Sequence, residues 1–181
     1  NEAALSKAKE HLSMTHDSTK IYSCIMDITN EDSVKNISKQ LLKKNLTINI
    51  LINNASIDPK VTNKKGIQNS SRLENFCVKE WNMQIEVGLT GAFICSKIFG
   101  SLMAKSSNNG IILNIASDLS IIAPDQRIYK VDSSNKDLNP VKPITYSTIK
   151  SGLIGMTRYL STYWADEGVR CNAISPGGVY N

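Results

Sequence analysis

Aromatic residues are scarce in this 181-residue chain, at 6%, and its four arginines stand far apart. A nucleic-acid surface needs clustered cations and rings to stack on, so the formal charge of +5 reads as lysines scattered over a globular domain. Histidine is scarcer still. His11 and His16 lie in a polar stretch with no cysteine or second carboxylate at ligand spacing, which gives no metal site. The four cysteines, Cys24, Cys77, Cys95 and Cys171, are widely separated; three sit in apolar runs, and the set reads as buried free thiols in a reducing, cytoplasmic compartment. No apolar run approaches the roughly 18 to 20 residues of a membrane span and no signal-peptide pattern is present, so a membrane partner is not expected. What remains is one domain's worth of chain, 41% hydrophobic and able to bury a sizeable core.

Short β-branched runs alternate with longer amphipathic stretches. "IYSCIMDIT" (21 to 29) reads as a strand, and residues 30 to 45 as a helix with Val34, Ile37, Leu41 and Leu42 at helical spacing behind acidic residues in the first turn. "INILINNA" (48 to 55) is too short for a helix and reads as a strand buried on both faces. A long helix over about 79 to 105, the strand "GIILNIAS" (110 to 117), a second long helix from 144 to 167 and the strand "VRCNAIS" (169 to 175) follow. Strands separated by helices imply right-handed crossovers and a parallel sheet covered by helices on both sides. In such sheets ligands bind beyond the carboxyl ends of the strands.

Three of those ends carry polar or glycine-rich strings: "NNA" (53 to 55), "NIAS" (114 to 117) and "SPGG" (175 to 178). Each alone is an ordinary turn former. The helix before the last strand opens with "ITYSTIK" (144 to 150), which sets Tyr146 four residues before Lys150. Four helical residues turn through about 400° and rise about 6 Å, so both side chains leave one face, one turn apart. A phenol titrates near 10 in water, and a phenolate at neutral pH needs about 4 kcal/mol of stabilisation, to which a neighbouring ammonium contributes. A tyrosine so placed can transfer protons, and Ser117, at the neighbouring strand end, can hold the oxygen that receives them.

The joint placement of these strings, in this order, resembles the short-chain dehydrogenases/reductases in their compact single-domain branch, over nearly the whole chain from about Ile21 to Asn181. The resemblance implies a Rossmann-like α/β fold, a doubly wound parallel sheet in three αβα layers. It also implies an NAD- or NADP-dependent oxidoreductase acting on a small alcohol or carbonyl compound. In that pattern Ser117, Tyr146 and Lys150 are catalytic, with Tyr146 as general acid/base. Asp27, Ile28, Asn53, Asn54, Ala55, Tyr146, Lys150, Pro176, Gly177 and Val179 line the cofactor. Asp27 reads equally well as the residue that starts the following helix. Family members also join as dimers or tetramers through their long helices, and Gly91, Ala92, Ser96, Gly152 and Gly155 are small enough for close approach.

The chain departs from the pattern in several places. Gly88 stands in "VGLTGAF" where the family usually has an asparagine that holds a water of the proton relay; the space left by the missing side chain is expected to admit a water. Ser56 replaces a common glycine after "NNA". Ser117 and Tyr146 are 29 positions apart, about twice the usual spacing, and the excess (125 to 143) reads as a surface loop or, alternatively, as a lid carrying Arg127 and Lys130. Together with Lys60, Lys64 and Lys65 of the segment 56 to 71, these cations are similar to those of members associated with bacterial surface-sugar or flagellin modification, and so imply an acidic or sugar-derived substrate.

The glycine-rich turn that cradles the cofactor pyrophosphate is absent. The expectation is a single domain over 1 to 181, incomplete at both ends, with an exposed apolar sheet face and weak cofactor binding. Two other functions stay open: a nucleotide-sugar epimerase or dehydratase of the extended branch, and a non-catalytic nucleotide-binding relative.

Overall fold

The structure, a computed structural model, describes residues 2–57, 71–106, 109–130 and 139–178. Helices α1 (Glu2–Ser13) and α2 (Glu31–Lys43) precede strand β1 (Ile50–Asn53). Helix α3 (Val78–Ser106), strand β2 (Ile111–Ile115), helix α4 (Ile144–Tyr163) and strand β3 (Arg170–Ile174) complete the order. The strands are parallel in the order β1-β2-β3, with Leu51 opposite Ile112 and Ile112 opposite Cys171. Each passage from strand to strand runs through a long helix, as a parallel pair requires. This is the expected Rossmann-like α/β fold.

The local causes are visible at each element. Asn30 caps α2, its Oδ1 accepting from the amides of Asp32 and Ser33 at 3.0 Å each, and Glu31 and Asp32 sit at the positive end of the helix. Its Val34 is fully buried. Helix α3 contains two π-turns, Glu86–Thr90 and Ser96–Gly100. By length and composition α3 could cross a membrane, a property the sequence reading did not anticipate; half of its most apolar stretch is buried within this fold, as in the core helix of a globular domain. Helix α4 begins after Pro143 and stops at Trp164, and Gly168, at φ 74°, makes the turn into β3.

Two buried clusters meet at β1. Met103, Ile112, Leu160, Trp164, Val169 and Cys171 join α3 and α4 to the sheet; Val34, Ile94, Cys95 and Phe99 join α2 to α3, and Leu51 packs against both. The strand expected to be buried on both faces is buried on one: Ile50 and Ile52 are 60% and 56% exposed. Their side chains point away from the layer of helices that Leu51 faces, because successive strand residues alternate sides.

Other expectations need correcting. Residues 21–27 form no ladder, because no described strand lies beside them; Met26 and Ile28 still pack into the α2 cluster. Cys95 and Cys171 are buried thiols, whereas Cys24 and Cys77 are exposed, the first in that unpaired segment and the second at the surface entry to α3. The small residues of the long helices serve contacts inside the chain. A Cβ at Gly91 would lie 2.7 Å from Ile28 Cδ1, one at Gly152 would lie 2.9 Å from Leu89 Cδ2, and Ala92 and Ser96 are buried. Gly155 faces open space.

Candidate active site

The ends of β1, β2 and β3 are tied together by polar side chains that the apolar pattern did not predict. Asn53 turns inward and donates to Ser96 Oγ (2.9 Å) and Asn114 Oδ1 (2.8 Å). Asn114, fully buried, donates in turn to Thr157 Oγ1 (2.8 Å) and reaches Cys171 Sγ at 3.7 Å. Asn114 thus spans all three strands and α4, and Asn53 adds α3, each satisfying its buried amide through groups that only the folded chain brings together. Burial pushes the Cys171 thiol up to about 11, against the opposing pull of its contacts with Thr157 and Asn114.

Beyond this network the chain turns at Ser117. The Ala116 amide donates to the Ile174 carbonyl (2.8 Å) and the Asp118 amide to the Pro176 carbonyl (3.0 Å), so "NIAS" and "SPGG" lie side by side. Ser117, 5% exposed, donates its hydroxyl to Asp118 Oδ1 (2.7 Å) and accepts from the Leu119 amide (3.3 Å). Helix α4 then delivers Tyr146 and Lys150 to the same end. The Lys150 ammonium, on a side chain 7% exposed, donates to the Ile115 carbonyl at 2.7 Å, two residues before Ser117. Its nitrogen lies 5.7 Å from the centroid of the half-buried Tyr146 ring. Nearby, Thr145 donates its hydroxyl to Gln84 Oε1, fixing the first turn of α4 against α3.

The structure therefore brings Ser117, Tyr146 and Lys150 to one strand end. Asn54 and Ala55 are exposed at the end of β1, and Pro176 and Gly177 follow β3. A flat ring and a ribose can lie against these segments: a Cβ at Gly178 would meet nothing within 4 Å, and one at Gly177 only Asp118 Oδ2 at 3.9 Å. Asp27 stands apart and does not start α2, which Asn30 caps; the hydroxyl and amide of Thr29 donate to its carboxylate (2.7 and 3.0 Å) and hold it below the usual carboxylate range. Ile28, beside it, is largely occupied in packing under Gly91. Val179, Lys60, Lys64 and Lys65 lie outside the described residues.

One expectation fails here, and at Arg127 the surface-loop reading is favoured over the lid. The space at Gly88 is not open to a water: a Cβ there would come within 2.8 Å of Ile149 Cγ2 and 3.1 Å of its Cδ1, so the branched side chain just before Lys150 fills the place of the missing asparagine. Arg127 does not reach toward the site. It is exposed and forms a fork with Asp125, Nη2 to Oδ2 at 2.7 Å, which holds the Asp125 carboxyl down at about 2. The cation that does approach Tyr146 was missed. Lys142 Nζ lies 3.8 Å from the ring centroid, closer than Lys150, and the signal available was its position four residues before Tyr146.

Comparison with known proteins gives the same outline. A family model described as enoyl-(acyl carrier protein) reductase matches residues 1–180. A 3-oxoacyl-[acyl-carrier-protein] reductase of Synechocystis sp. is 30% identical over 153 residues, covering 84% of this chain and 51% of that protein. Glucose 1-dehydrogenase 2 of Bacillus subtilis is 28% identical over 160 residues, 88% of this chain and 52% of the other. The chain thus spans about half the length of the curated relatives it matches. Among solved structures, a short chain dehydrogenase from Leptospira borgpetersenii with bound NAD+ superposes with a TM-score of 0.71 at 34% identity, covering 86% of this chain and 53% of that one. ElxO with NADP bound gives a TM-score of 0.74 at 26% identity, covering 95% and 58%. With a parallel sheet, a Tyr-Lys pair on the helix before its last strand and a family model spanning all but one residue, the chain belongs to the short-chain dehydrogenase/reductase family.

Proposed function

We propose that the protein is an NAD(P)-dependent oxidoreductase that moves a hydride between nicotinamide and an alcohol or carbonyl carbon of a small molecule, with Tyr146 as general acid/base. The observation that carries this reading is the buried Lys150 ammonium, anchored on the Ile115 carbonyl beside Ser117 and one helical turn from Tyr146. A buried ammonium is costly to maintain, and a site that needs positive charge beside a phenol gives it a reason.

When bound, the nicotinamide supplies or accepts the hydride. Tyr146 gives its hydroxyl proton to the carbonyl oxygen in reduction and takes it back in oxidation. Ser117 holds that oxygen, turning its hydroxyl from Asp118 Oδ1 to the substrate. Lys150 keeps positive charge near the ring and would also hold the ribose of a bound cofactor. Asn54, Ala55, Pro176 and Gly177 would hold the nicotinamide side with the backbone of Asn53, and Asp27 and Ile28 would hold the adenine side. Tightly packed Ile149 takes the place of the usual relay asparagine, so proton exchange with solvent runs by another path.

The relatives named for acyl carriers and for glucose support a small alcohol, carbonyl or sugar-derived substrate. Exposed Phe93 on α3 and the stacked Tyr159 and Tyr163 on α4 favour a homodimer or homotetramer, now on apolar surface rather than on small residues. We place the protein in the cytoplasm, away from membranes and nucleic acid.

The test is Tyr146→Phe. It is expected to lower turnover by about 10³-fold or more while leaving cofactor affinity nearly unchanged, as read by nicotinamide absorbance and by calorimetry. Substantial turnover by the variant refutes the assignment.

A further inference from the structure

Directly after Ser117 stands a carboxylate, Asp118, on a turn whose backbone is fixed. The Asp118 amide donates to the Pro176 carbonyl (3.0 Å), and the amides of Ile121 and Ile122 donate to the Asp118 carbonyl (2.9 and 3.0 Å). Ser151 on α4 holds the same turn from the other side, its hydroxyl donating to the Ser120 carbonyl at 3.1 Å. The half-buried Asp118 side chain thus sits between the ends of β2 and β3 and the helix that carries Tyr146.

Its two oxygens differ. Oδ1 accepts from the Ser117 hydroxyl and the Leu119 amide, each at 2.7 Å. Oδ2 has no hydrogen-bond partner among the described residues and lies 3.9 Å from where a Cβ at Gly177 would stand, toward the open glycine turn after β3. Ser117 can donate to a substrate oxygen only by turning its hydroxyl away from Oδ1. That movement leaves the half-buried carboxylate with one described donor, the Leu119 amide, and a carboxylate withdrawn from water without donors is costly.

We infer that Asp118 is a specificity-determining residue, which accepts from a second hydroxyl of the substrate on the carbon next to the reacting one. The inference rests on the reading of Tyr146 and Ser117 as the reacting end of the site. Hydroxyls on neighbouring carbons lie about one hydrogen-bond length apart, as the Ser117 and Asp118 oxygens do, so a vicinal diol or an α-hydroxy carbonyl spans both. A lone alcohol leaves the carboxylate short of a donor, and a substrate carboxylate on the neighbouring carbon meets a like charge. A site built around such a bond rejects the analogue that lacks it. The carboxamide of a bound nicotinamide is the other donor with this chemistry, and cofactor affinity separates the two.

The experiment is a binding titration without cofactor or turnover, so its failure leaves the Tyr146 reading to its own test. Amide shifts of Asp118, Leu119 and Gly177 are followed by NMR during addition of propylene glycol, isopropanol or lactate, which carry the same secondary alcohol beside a hydroxymethyl, a methyl and a carboxylate. Propylene glycol is expected to give saturable shifts, with an affinity about tenfold or more above the other two, the difference made by one charge-assisted bond. Asp118→Ala should weaken propylene glycol about tenfold and leave isopropanol unchanged, so that the preference disappears. Asp118→Asn, which keeps a carbonyl acceptor without the charge, should retain part of the preference and bind lactate more tightly than the unaltered protein does. Calorimetric titration with NAD should give the same affinity for the protein and for Asp118→Ala. Equal or tighter binding of isopropanol or lactate, or no saturable shift with propylene glycol, overturns the inference. So does a loss in Asp118→Ala shared equally by propylene glycol and isopropanol, the mark of a merely structural role, or a tenfold loss of NAD affinity, which assigns the carboxylate to the cofactor.

Discussion

The two faces of the sheet differ more than their sequences do. On one, Leu51, Ile112 and Cys171 lie in register beneath the helices, with Ile112 fully buried. On the other, Ile50, Ile52 and Ile174 are 60%, 56% and 48% exposed among the described residues, and α1 contributes no buried residue to cover them. Parallel sheets are normally covered on both sides, and "INILIN" is written as though this one were. An apolar run therefore reports that a strand's residues suit burial. It does not report which of its faces a given stretch of chain covers.

The sharpest way to break this comparison is to truncate one side chain on each face. Ile112→Ala removes a fully buried side chain between α3, α4 and β3, and is expected to lower unfolding free energy by about 2 to 5 kcal/mol. Ile52→Ala, on the open face, should change it by less than about 1 kcal/mol. Urea midpoints of the two variants measure the difference. Equal losses would mean that the outer face is covered in solution.

A smaller effect tests the helical side alone. Gly88→Asn must place a Cβ 2.8 Å from Ile149 Cγ2, and such overpacking is expected to destabilise by about 1 to 3 kcal/mol. Ile149→Ala makes a hole where that side chain stood. The double variant should therefore be more stable than the sum of the single losses allows, a coupling that a double-mutant cycle reads directly. Additive losses would show that the two positions do not share the space.

The same contrast explains what could be read in advance. The long helices, β2 and β3 were legible because their signal is local, the spacing of apolar residues, whereas the cap of α2 is Asn30 and not the Asp27 that the sequence suggested. Ser117, Tyr146 and Lys150 could be singled out through the resemblance because Ser117 ends a strand and the other two lie one turn apart near the start of a helix. The missing partner of residues 21–27 was expected from the family resemblance, but it was not legible in the segment's own residues, because a ladder depends on a neighbour. Nor was the fit of Ile149 into Gly88, or of Lys142 over Tyr146, which join positions far apart in sequence or side-chain directions that spacing leaves open.

The smallest effect uses the cysteines as reporters on the same contrast. Burial raises the thiols of Cys95 and Cys171 from 9.0 to about 11, while Cys24 and Cys77 are exposed. The thiolate is the reacting form, so at pH 8 a disulfide reagent should modify Cys24 and Cys77 quickly and leave Cys95 and Cys171 silent until the chain unfolds. The sign of the pH effect follows from linkage. Both thiols bind their protons more tightly folded than unfolded, so their contribution to stability is complete below pH 9 and is lost as the pH rises from 9 to about 11. The urea midpoint should decline across that window, and Cys95→Ala with Cys171→Ala should remove part of the slope. Four thiols reacting at one rate would show that the helical layer opens as readily as the exposed face, and would erase the distinction between them.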